Sequence, residues 1–326
     1  MDAAPLALTP KTPREGYHHL LARLSSHSVT QRFDAYADLA WDLPEHRVDP
    51  EDPRFELGPE EPLSHTRWYQ DLPSALRARV GLHLLASYMR VGVQFESVLS
   101  QGLLRFAEAL PAGSPEFRYA LHEVLEEGQH SLMFQEFVGR TGLDPQGMHP
   151  LERYGSRRVP DLGRTFPELF FLHVLAGEAP IDYVQRRALR GERPLHPLVA
   201  AIMRRHITEE ARHLCFAKRF LEERSPRLGA LRRAQLQALA PVVLRSTAAA
   251  MLRVPGDLVA RYQVPPEALR EAHRGPLARQ RVREGLAPVY ALCQRVGLAP
   301  PALGFLWRAV GITGAAPSAT LSAHLP

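Results

Sequence analysis

The chain has 326 residues, of which 45% are hydrophobic and 23% are charged. This composition excludes bulk disorder and is sufficient for one large all-helical domain or two smaller ones. The formal net charge is only +5, and the basic stretch 224–233 contains no interleaved aromatic residues. The sequence therefore predicts no nucleic-acid partner.

Cysteine usage and hydropathy bear on the compartment. Cys215 and Cys293 are the only cysteines, too few for a disulfide framework and unsuited to a zinc site built on thiolates. Residues 1–13 lack a basic segment followed by an apolar run, and no stretch reaches the roughly 18 apolar residues of a membrane span. We therefore expect a soluble cytoplasmic protein that has no membrane partner.

Residues 1–64 are predicted to form an N-terminal arm with short helices. Residues 1–13 contain three prolines and little to bury, which is typical of a mobile arm. Helical patterns cover residues 15–24 and 29–39, whereas the proline-rich acidic stretch 43–62 is expected to be largely irregular.

Residues 65–225 are predicted to hold a bundle of four long helices. Residues 68–110 hold the first helix, which is entered near Asp71 with Pro73 in its first turn, and the second helix spans residues 116–140. Ser114 is suited to the N-cap of the second helix, and Pro115 is suited to its first position.

The second pair of helices follows a predicted loop over residues 145–164. Thr165-Phe-Pro-Glu168 matches a capping box and opens the third helix. Pro180 removes a backbone donor, so it either kinks this helix or ends it. The fourth helix begins at Pro197 and ends near Pro226.

Residues 226–326 keep a helical pattern with proline breaks and contain no second metal motif. We expect these C-terminal helices to pack on the bundle, so that the whole chain forms a single domain. The tail 314–326 is small, polar and interrupted by a proline, so we expect it to be loose.

Two copies of a Glu-x-x-His element lie inside the second and fourth helices. Glu127 and His130 form the first copy, and Glu210 and His213 form the second. At positions i and i+3 the two side chains of each copy are neighbours on one helix face. Each copy can therefore present a carboxylate and an imidazole to one ion.

Each element has a glutamate on the preceding helix. Glu96 stands 31 residues before Glu127, and Glu178 stands 32 residues before Glu210. A helix with one glutamate, a turn and a helix with Glu-x-x-His form half of a ferritin-like dimetal carboxylate site. The predicted fold is therefore all-α: a ferritin-like four-helix bundle with a dimetal carboxylate site and additional N- and C-terminal helices.

His206 distinguishes the second half from the first. It stands four residues before Glu210 on the same helix face, where the first half has Glu123. We interpret Glu123 as an acid that faces solvent or lies just behind the ligands, and ligation by it stays open. The candidate metal ligands are Glu96, Glu127, His130, Glu178, His206, Glu210 and His213. Carboxylates and imidazoles without thiolates suit iron or manganese.

Five further residues are placed near the predicted site by their spacing. Glu126 and Glu209 each precede a ligand glutamate, and each either accepts a hydrogen bond from a metal-bound imidazole or faces solvent. Tyr88 and Gly92 share a helix face with the first glutamate, so they line a substrate pocket or pack in the core. Asp182 lies one turn beyond the third-helix glutamate, either in the cavity or in solvent. In the cavity it would disfavour an anionic substrate unless an arginine paired with it.

These residues resemble the pattern of the nonhaem di-iron arylamine N-oxygenases, typified by p-aminobenzoate N-oxygenase. The matching residues are Glu96, Glu127-x-x-His130, Glu178 and His206-x-x-x-Glu210-x-x-His213. The additional histidine is the discriminating part, because ordinary ferritin-like oxidases and reductase subunits usually lack it.

The resemblance implies two iron ions, with manganese as an alternative, and O2 as a cosubstrate. It implies oxidation of an aromatic amine to a hydroxylamine, nitroso or nitro product, commonly within natural-product biosynthesis. An external electron donor is also implied, and a homodimer is compatible with the sequence.

The C-terminal part contains three arginines that are candidates for pairing with a substrate anion, Arg281, Arg283 and Arg308, and no local motif selects among them.

Two alternative functions stay open from the sequence. A di-iron hydroxylase or desaturase that acts on carbon would use the same ligands, so spacing cannot separate it from an N-oxygenase. An iron-binding or storage protein belongs to another class. The long C-terminal region disfavours storage, because storage proteins usually use a small shell-forming subunit.

Overall fold

The structure, a computed structural model, describes residues 13–312 of the chain. Every regular element in that range is a helix, so the predicted all-α class is confirmed. The predicted mobile arm and loose tail fall almost entirely on residues 1–12 and 313–326, which lie outside the described part.

Thirteen α-helices follow one another within residues 13–312. They are α1 (Pro13–Thr30), α2 (Arg67–Gln70), α3 (Ser74–Glu108), α4 (Pro115–Thr141), α5 (Pro150–Ser156), α6 (Val159–Thr165), α7 (Pro167–Arg190), α8 (Pro197–Arg224), α9 (Ala230–Met251), α10 (Gly256–Tyr262), α11 (Pro266–Arg274), α12 (Pro276–Arg295) and α13 (Gly304–Ala309). Short 3-10 turns lie at Pro44–His46, Pro53–Phe55, Pro62–His65, Ser225–Arg227 and Pro301–Leu303.

The four long helices α3, α4, α7 and α8 form the bundle. α3 packs along α4, α7 packs along α8, and α4 also contacts α8. A buried aromatic cluster joins three of them: Phe106 of α3, Phe171 of α7, and Phe216 and Phe220 of α8, with neighbouring ring centroids 4.4 to 6.4 Å apart. Such burial of aromatic surface is a main source of stability, and it fixes the helices that carry the polar site.

Local sequence determines both ends of α4. The Ser114 hydroxyl accepts a hydrogen bond from the Phe117 amide at 3.2 Å, and Pro115 occupies the first turn. Gly142 follows the helix with φ of 67°, a left-handed conformation that glycine adopts without a side-chain clash. The predicted helix over residues 116–140 is therefore confirmed to within one residue at each end.

α7 continues through Pro180. Proline cannot donate the helical hydrogen bond, yet the helix extends on both sides of it, so the interpretation that the helix ends there is wrong. Gly285 of α12 lies against this turn, because a Cβ atom at residue 285 would come 2.9 Å from the Pro180 Cα atom. The close approach of α12 to α7 beside Glu178 therefore depends on a glycine.

The helix predicted over residues 29–39 is wrong beyond Thr30, where α1 ends. The next residues form turns, and Asp34 Oδ1 accepts hydrogen bonds from the amides of Tyr36 and Ala37 at 2.9 and 3.0 Å. Short acidic side chains compete in this way with the helical carbonyls for backbone donors.

The loop predicted over residues 145–164 is also partly wrong, because it contains α5 and α6. His149 and Glu152 form a reciprocal cap at the start of α5, a cap in which a histidine takes the usual place of serine or threonine. Thr165 does not cap α7; its hydroxyl donates to the Asp161 carbonyl at 2.8 Å.

α9 and α12 pack against α7. Leu236 and Leu244 of α9, together with Leu286 and Leu292 of α12, are fully buried in the core that includes α7. Across residues 13–312, no helix is both long and apolar enough to cross a bilayer.

Candidate metal centre

The four bundle helices bring all seven candidate ligands into the protein interior. The contributions are Glu96 from α3, Glu127 and His130 from α4, Glu178 from α7, and His206, Glu210 and His213 from α8. Each side chain has an exposed fraction between 0% and 2%. Acids and histidines at this depth require partners, because burial without compensation strongly penalises charge.

The ligand atoms form two groups that share two residues. One group contains Glu96, His130, His206 and Glu210, and the other contains Glu127, His130, Glu210 and His213. Within each group the ligand atoms lie within 4.8 Å of one another. Glu178 belongs to neither group, but it lies near enough to Glu210 and Glu127 for these acids to raise its pKa further after burial has raised it.

The two Glu-x-x-His elements present the same imidazole nitrogen to the centre. His130 Nδ1 lies 3.1 Å from Glu127 Oε2, and His213 Nδ1 lies 3.0 Å from Glu210 Oε1. His213 Nδ1 is also 3.2 Å from Glu127 Oε1, so the elements meet across the interface of α4 and α8. This arrangement places both Nδ1 atoms beside the Glu127 and Glu210 carboxylates, so that nitrogen and oxygen ligands can bind the same ions.

The opposite nitrogens of these rings make hydrogen bonds that cross between the helices. His130 Nε2 of α4 lies 3.0 Å from Glu209 Oε2 of α8, while His213 Nε2 of α8 lies 2.7 Å from Glu126 Oε2 of α4. A carboxylate acceptor fixes the Nε2–H tautomer and leaves Nδ1 free for a metal. The structure thus brings Glu126 and Glu209 to the imidazoles as the sequence analysis anticipated.

Arg212 joins these two acceptors, a role that the sequence analysis did not identify. Its guanidinium donates to Glu126 Oε1 at 2.8 Å and lies 3.4 Å from Glu209 Oε1, and the residue is only 6% exposed. Burial alone would raise the pKa of Glu126, but the bond and charge of His213, followed by the charge of Arg212, lower it to about 2 and keep the carboxylate ionised.

His206 is oriented differently. Its Nε2 atom faces the centre, 3.8 Å from both Glu96 Oε1 and Glu210 Oε1, and its Nδ1 atom lies 2.9 Å from Gln185 Oε1. Gln185 belongs to α7 and is a second residue that the sequence analysis did not identify. Its amide fixes the ring without adding the negative charge that Glu126 and Glu209 give to the other two histidines.

This difference appears in the electrostatics of the imidazoles. Burial lowers the pKa of His206 to about 4. Burial also disfavours protonation of His130, but its bonds to Glu127 and Glu209 outweigh that effect and raise its pKa to about 9. Burial without a bonded carboxylate therefore leaves His206 the less basic of these two rings.

Four carboxylate oxygens of the candidate ligands have no hydrogen-bond partner among the described residues. These atoms are Glu96 Oε2, Glu127 Oε1, Glu178 Oε1 and Glu210 Oε2. Burial and the neighbouring acids raise the pKa values of Glu96 and Glu178 well above the ordinary value, so the metal-free cluster resists full ionisation. Two divalent cations would balance the four carboxylates, and the oxygen and imidazole donors fit iron or manganese.

Glu123 is fully buried, so the interpretation that it faces solvent is wrong. Both of its carboxyl oxygens lack a hydrogen-bond partner. Burial raises its pKa to about 8, with further contributions from the charges of nearby Glu127 and Glu210. At neutral pH the isolated carboxyl is therefore mainly protonated, one helical turn before Glu127.

Tyr88 and Gly92 make contacts away from the ligand cluster. The Tyr88 hydroxyl donates to Glu61 Oε2 at 3.0 Å, and Glu61 also binds the buried Arg281. A Cβ atom at residue 92 would lie 3.1 Å from the ring of Phe134. Gly92 thus permits close packing of α3 on α4, and the space beside it is filled.

Asp182 makes an ion pair on α7. Both of its carboxylate oxygens accept hydrogen bonds from Arg186 Nε at 2.8 Å. An arginine therefore pairs with Asp182, which is the condition under which the sequence analysis did not expect this carboxylate to disfavour an anionic substrate. Of the three arginines considered as anion partners, Arg281 is buried, while Arg308 is exposed on α13.

Comparisons with known proteins agree with this geometry. The family described as P-aminobenzoate N-oxygenase AurF matches residues 14–297. Uncharacterized proteins from Mycobacterium bovis and Mycobacterium tuberculosis are each 37% identical to the chain over 299 residues, which is 91% of this chain and 88% of each relative. The family match spans every residue of the ligand cluster.

Proposed function

The chain belongs to the p-aminobenzoate N-oxygenase family of di-iron oxygenases, and on that premise we propose that it uses O2 to oxygenate the nitrogen of an aromatic amine. The observation that carries the proposal is the buried ligand cluster, in which two Glu-x-x-His elements are joined by His206. The product would be a hydroxylamine, nitroso or nitro compound. The reaction would require a small-molecule substrate and an external electron donor.

The seven ligands would hold two iron ions, which when bound supply the redox chemistry that activates O2. Glu126 and Glu209 hold protons on the Nε2 atoms of His213 and His130, so that both Nδ1 atoms point inward. Arg212 keeps these two carboxylates in place. The site would thus enter the reaction with its nitrogen ligands already oriented.

Apolar residues around the cluster would exclude water. The ring of Phe134 lies 5.1 Å from His206 between ring centroids, and it also lies against Gly92. Phe95, the neighbour of Glu96, packs against Gly177, the neighbour of Glu178. A dry site strengthens the fixed charges and limits loss of reactive oxygen species to solvent.

The decisive experiment is aerobic reaction of the reduced, iron-loaded protein with neutral and anionic arylamines under isotopically labelled O2. Mass spectrometry would show whether label enters the product, and fragmentation would locate it on nitrogen or carbon. The matched control is Glu222→Gln, which removes a carboxylate of α8 that pairs at the surface with Arg219 and Arg295. We expect label on nitrogen in both proteins.

Other outcomes would select the alternatives. Label on a ring carbon would identify a hydroxylase, and an unlabelled product with a new double bond would identify a desaturase. Uptake of many iron ions per chain, without oxidation of any amine, would favour storage. A role in natural-product biosynthesis, a homodimer and a cytoplasmic location stay predictions from the sequence.

A further inference from the structure

A cavity of about 250 Å³ lies among α9, α11 and α12, and none of its lining residues is a candidate metal ligand. Four arginines line it, Arg245, Arg253, Arg274 and Arg281, and no aspartate or glutamate does. The concentration of positive charge around a partly open cavity is typical of a site for a negatively charged molecule.

Protein carboxylates neutralise two of the four arginines. Arg253 pairs with Glu152 at 2.6 Å, and Arg281 pairs with Glu61. For Arg245 and Arg274, the described residues provide no salt-bridge partner. Arg245 is half-buried, and its desolvation lowers the pKa of the guanidinium. A partly desolvated cation without a counter-ion is unfavourable, so an anion in the cavity would stabilise this wall.

Arg281, which lines this cavity, has one donor atom without a partner. The residue is only 5% exposed; one terminal nitrogen binds Glu61, and Nη2 donates to the Leu252 carbonyl at 3.0 Å. Its Nε atom is buried and has no acceptor. A buried donor without a partner carries a desolvation penalty that an entering acceptor would relieve.

The remaining lining limits the size and character of the ligand. Ala249, Leu252, Ala278 and Val282 provide an apolar surface beside the arginines. The volume lies just below the range of about 300–1,000 Å³ typical of sites for drug-sized molecules. We propose that this cavity binds a small organic anion, a carboxylate or a phosphate monoester with a compact apolar body, through Arg245, Arg274 and Arg281.

The test is isothermal titration of the metal-free and iron-loaded proteins with benzoate, phenyl phosphate, inorganic phosphate and neutral benzamide. We expect benzoate or phenyl phosphate to bind at one site per chain in both forms, and benzamide at least about 10-fold more weakly. Tighter binding of benzoate would assign a carboxylate ligand, and tighter binding of phenyl phosphate would assign a phosphate monoester. Because metal-free protein is included, failure of the oxygenase assay would leave this result unaffected.

Arg245→Gln and Arg270→Gln make a matched pair of variants. Both remove one positive charge, but Arg270 is an exposed residue of α11 that does not line the cavity. We expect Arg245→Gln to weaken anion binding at least about 10-fold and Arg270→Gln to leave it within about twofold. Arg245 is preferred to Arg281 because loss of Arg281 would leave Glu61 unpaired in the interior.

Two results would overturn the proposal. One is the absence of saturable binding of every anion at millimolar concentration to a protein whose thermal unfolding is normal. The other is equal weakening by Arg245→Gln and Arg270→Gln, which would mean that the anions respond only to the overall charge of the protein.

Discussion

The two halves of the metal centre, α3 with α4 and α7 with α8, carry matching ligands but differ one turn before the Glu-x-x-His elements. In the first half this position is Glu123, which is buried and has no hydrogen-bond partner. In the second half it is His206, which faces the centre and is held by Gln185. The matching residues support two metal ions, whereas the differing residues make the two ends of the centre chemically unequal.

Glu210 provides the most severe test of the matching ligands, because it belongs to both ligand groups. We expect Glu210→Gln to reduce iron from two ions per chain to fewer than one, and to reduce turnover more than about 100-fold, the upper limit for residues that only support ligands. Metal analysis after anaerobic loading and gel filtration measures the first effect. Full occupancy by iron would remove Glu210 from the site, and Glu222→Gln is the control.

The crossed hydrogen bonds provide the next test. Glu126→Gln and Glu209→Gln should each weaken iron binding by about 10- to 100-fold, because each removes the anionic acceptor of one histidine on the opposite helix. Competition with a chelator measures both affinities. Equal losses would show that the halves are equivalent at this level. If neither variant changes the affinity, the carboxylates do not orient the ligands.

Substitution of His206 tests the difference between the two halves directly. We expect His206→Ala to keep the fold, since two Glu-x-x-His elements remain, but to change the reaction with O2. Gln185→Leu should have an effect in the same direction that is smaller by about 10-fold, because the ring remains but loses its acceptor. Stopped-flow absorbance after mixing with O2 measures the reaction, and circular dichroism measures the fold. Unchanged kinetics in His206→Ala would exclude it as a ligand.

Glu123 should produce the smallest effect, visible in metal-free protein as a dependence of stability on pH. Its pKa is about 8 in the folded state and 4.5 in the reference state, so rising pH through this window destabilises the fold. Glu123→Gln removes this loss. As the pH rises from 5.5 to 7.5, the parent should lose at most about 3 kcal/mol more of its free energy of unfolding than the variant loses. Urea denaturation at both pH values measures it, and a parallel pH dependence in the two proteins would contradict the assigned shift.

Much of this centre could be predicted because its information is local and periodic. The ligands of α4 and α8 stand at i and i+3, and the turns between helices have strong proline and serine signals, as at Ser114 and Pro115. A duplicated motif also constrains the fold, since each half needs the other. Position next to a ligand glutamate made Glu126 and Glu209 candidates to accept a hydrogen bond from an imidazole, with exposure to solvent as the alternative.

The residues near the centre that the sequence analysis did not identify make contacts between distant parts of the chain. Gln185 stands two turns after Glu178, on nearly the same face, but a neutral amide belongs to no metal motif. Arg212 is one arginine among many, and only the packing of α8 on α4 shows that it is buried between two acids. The packing of Phe134 beside Gly92 likewise depends on how α3 meets α4.

The crossed bonds resemble the contacts of a symmetric dimer, in which residue i of one copy contacts residue j of the other copy and the reverse contact is also made. Residue 126 contacts residue 213, and residue 209 contacts residue 130, while 83 positions separate Glu126 from Glu209 and His130 from His213 alike. Two copies of one hairpin, related by a two-fold axis, would satisfy the same bonds. Covalent linkage of the halves permits what such a symmetric pair excludes: a histidine at position 206 opposite a glutamate at position 123.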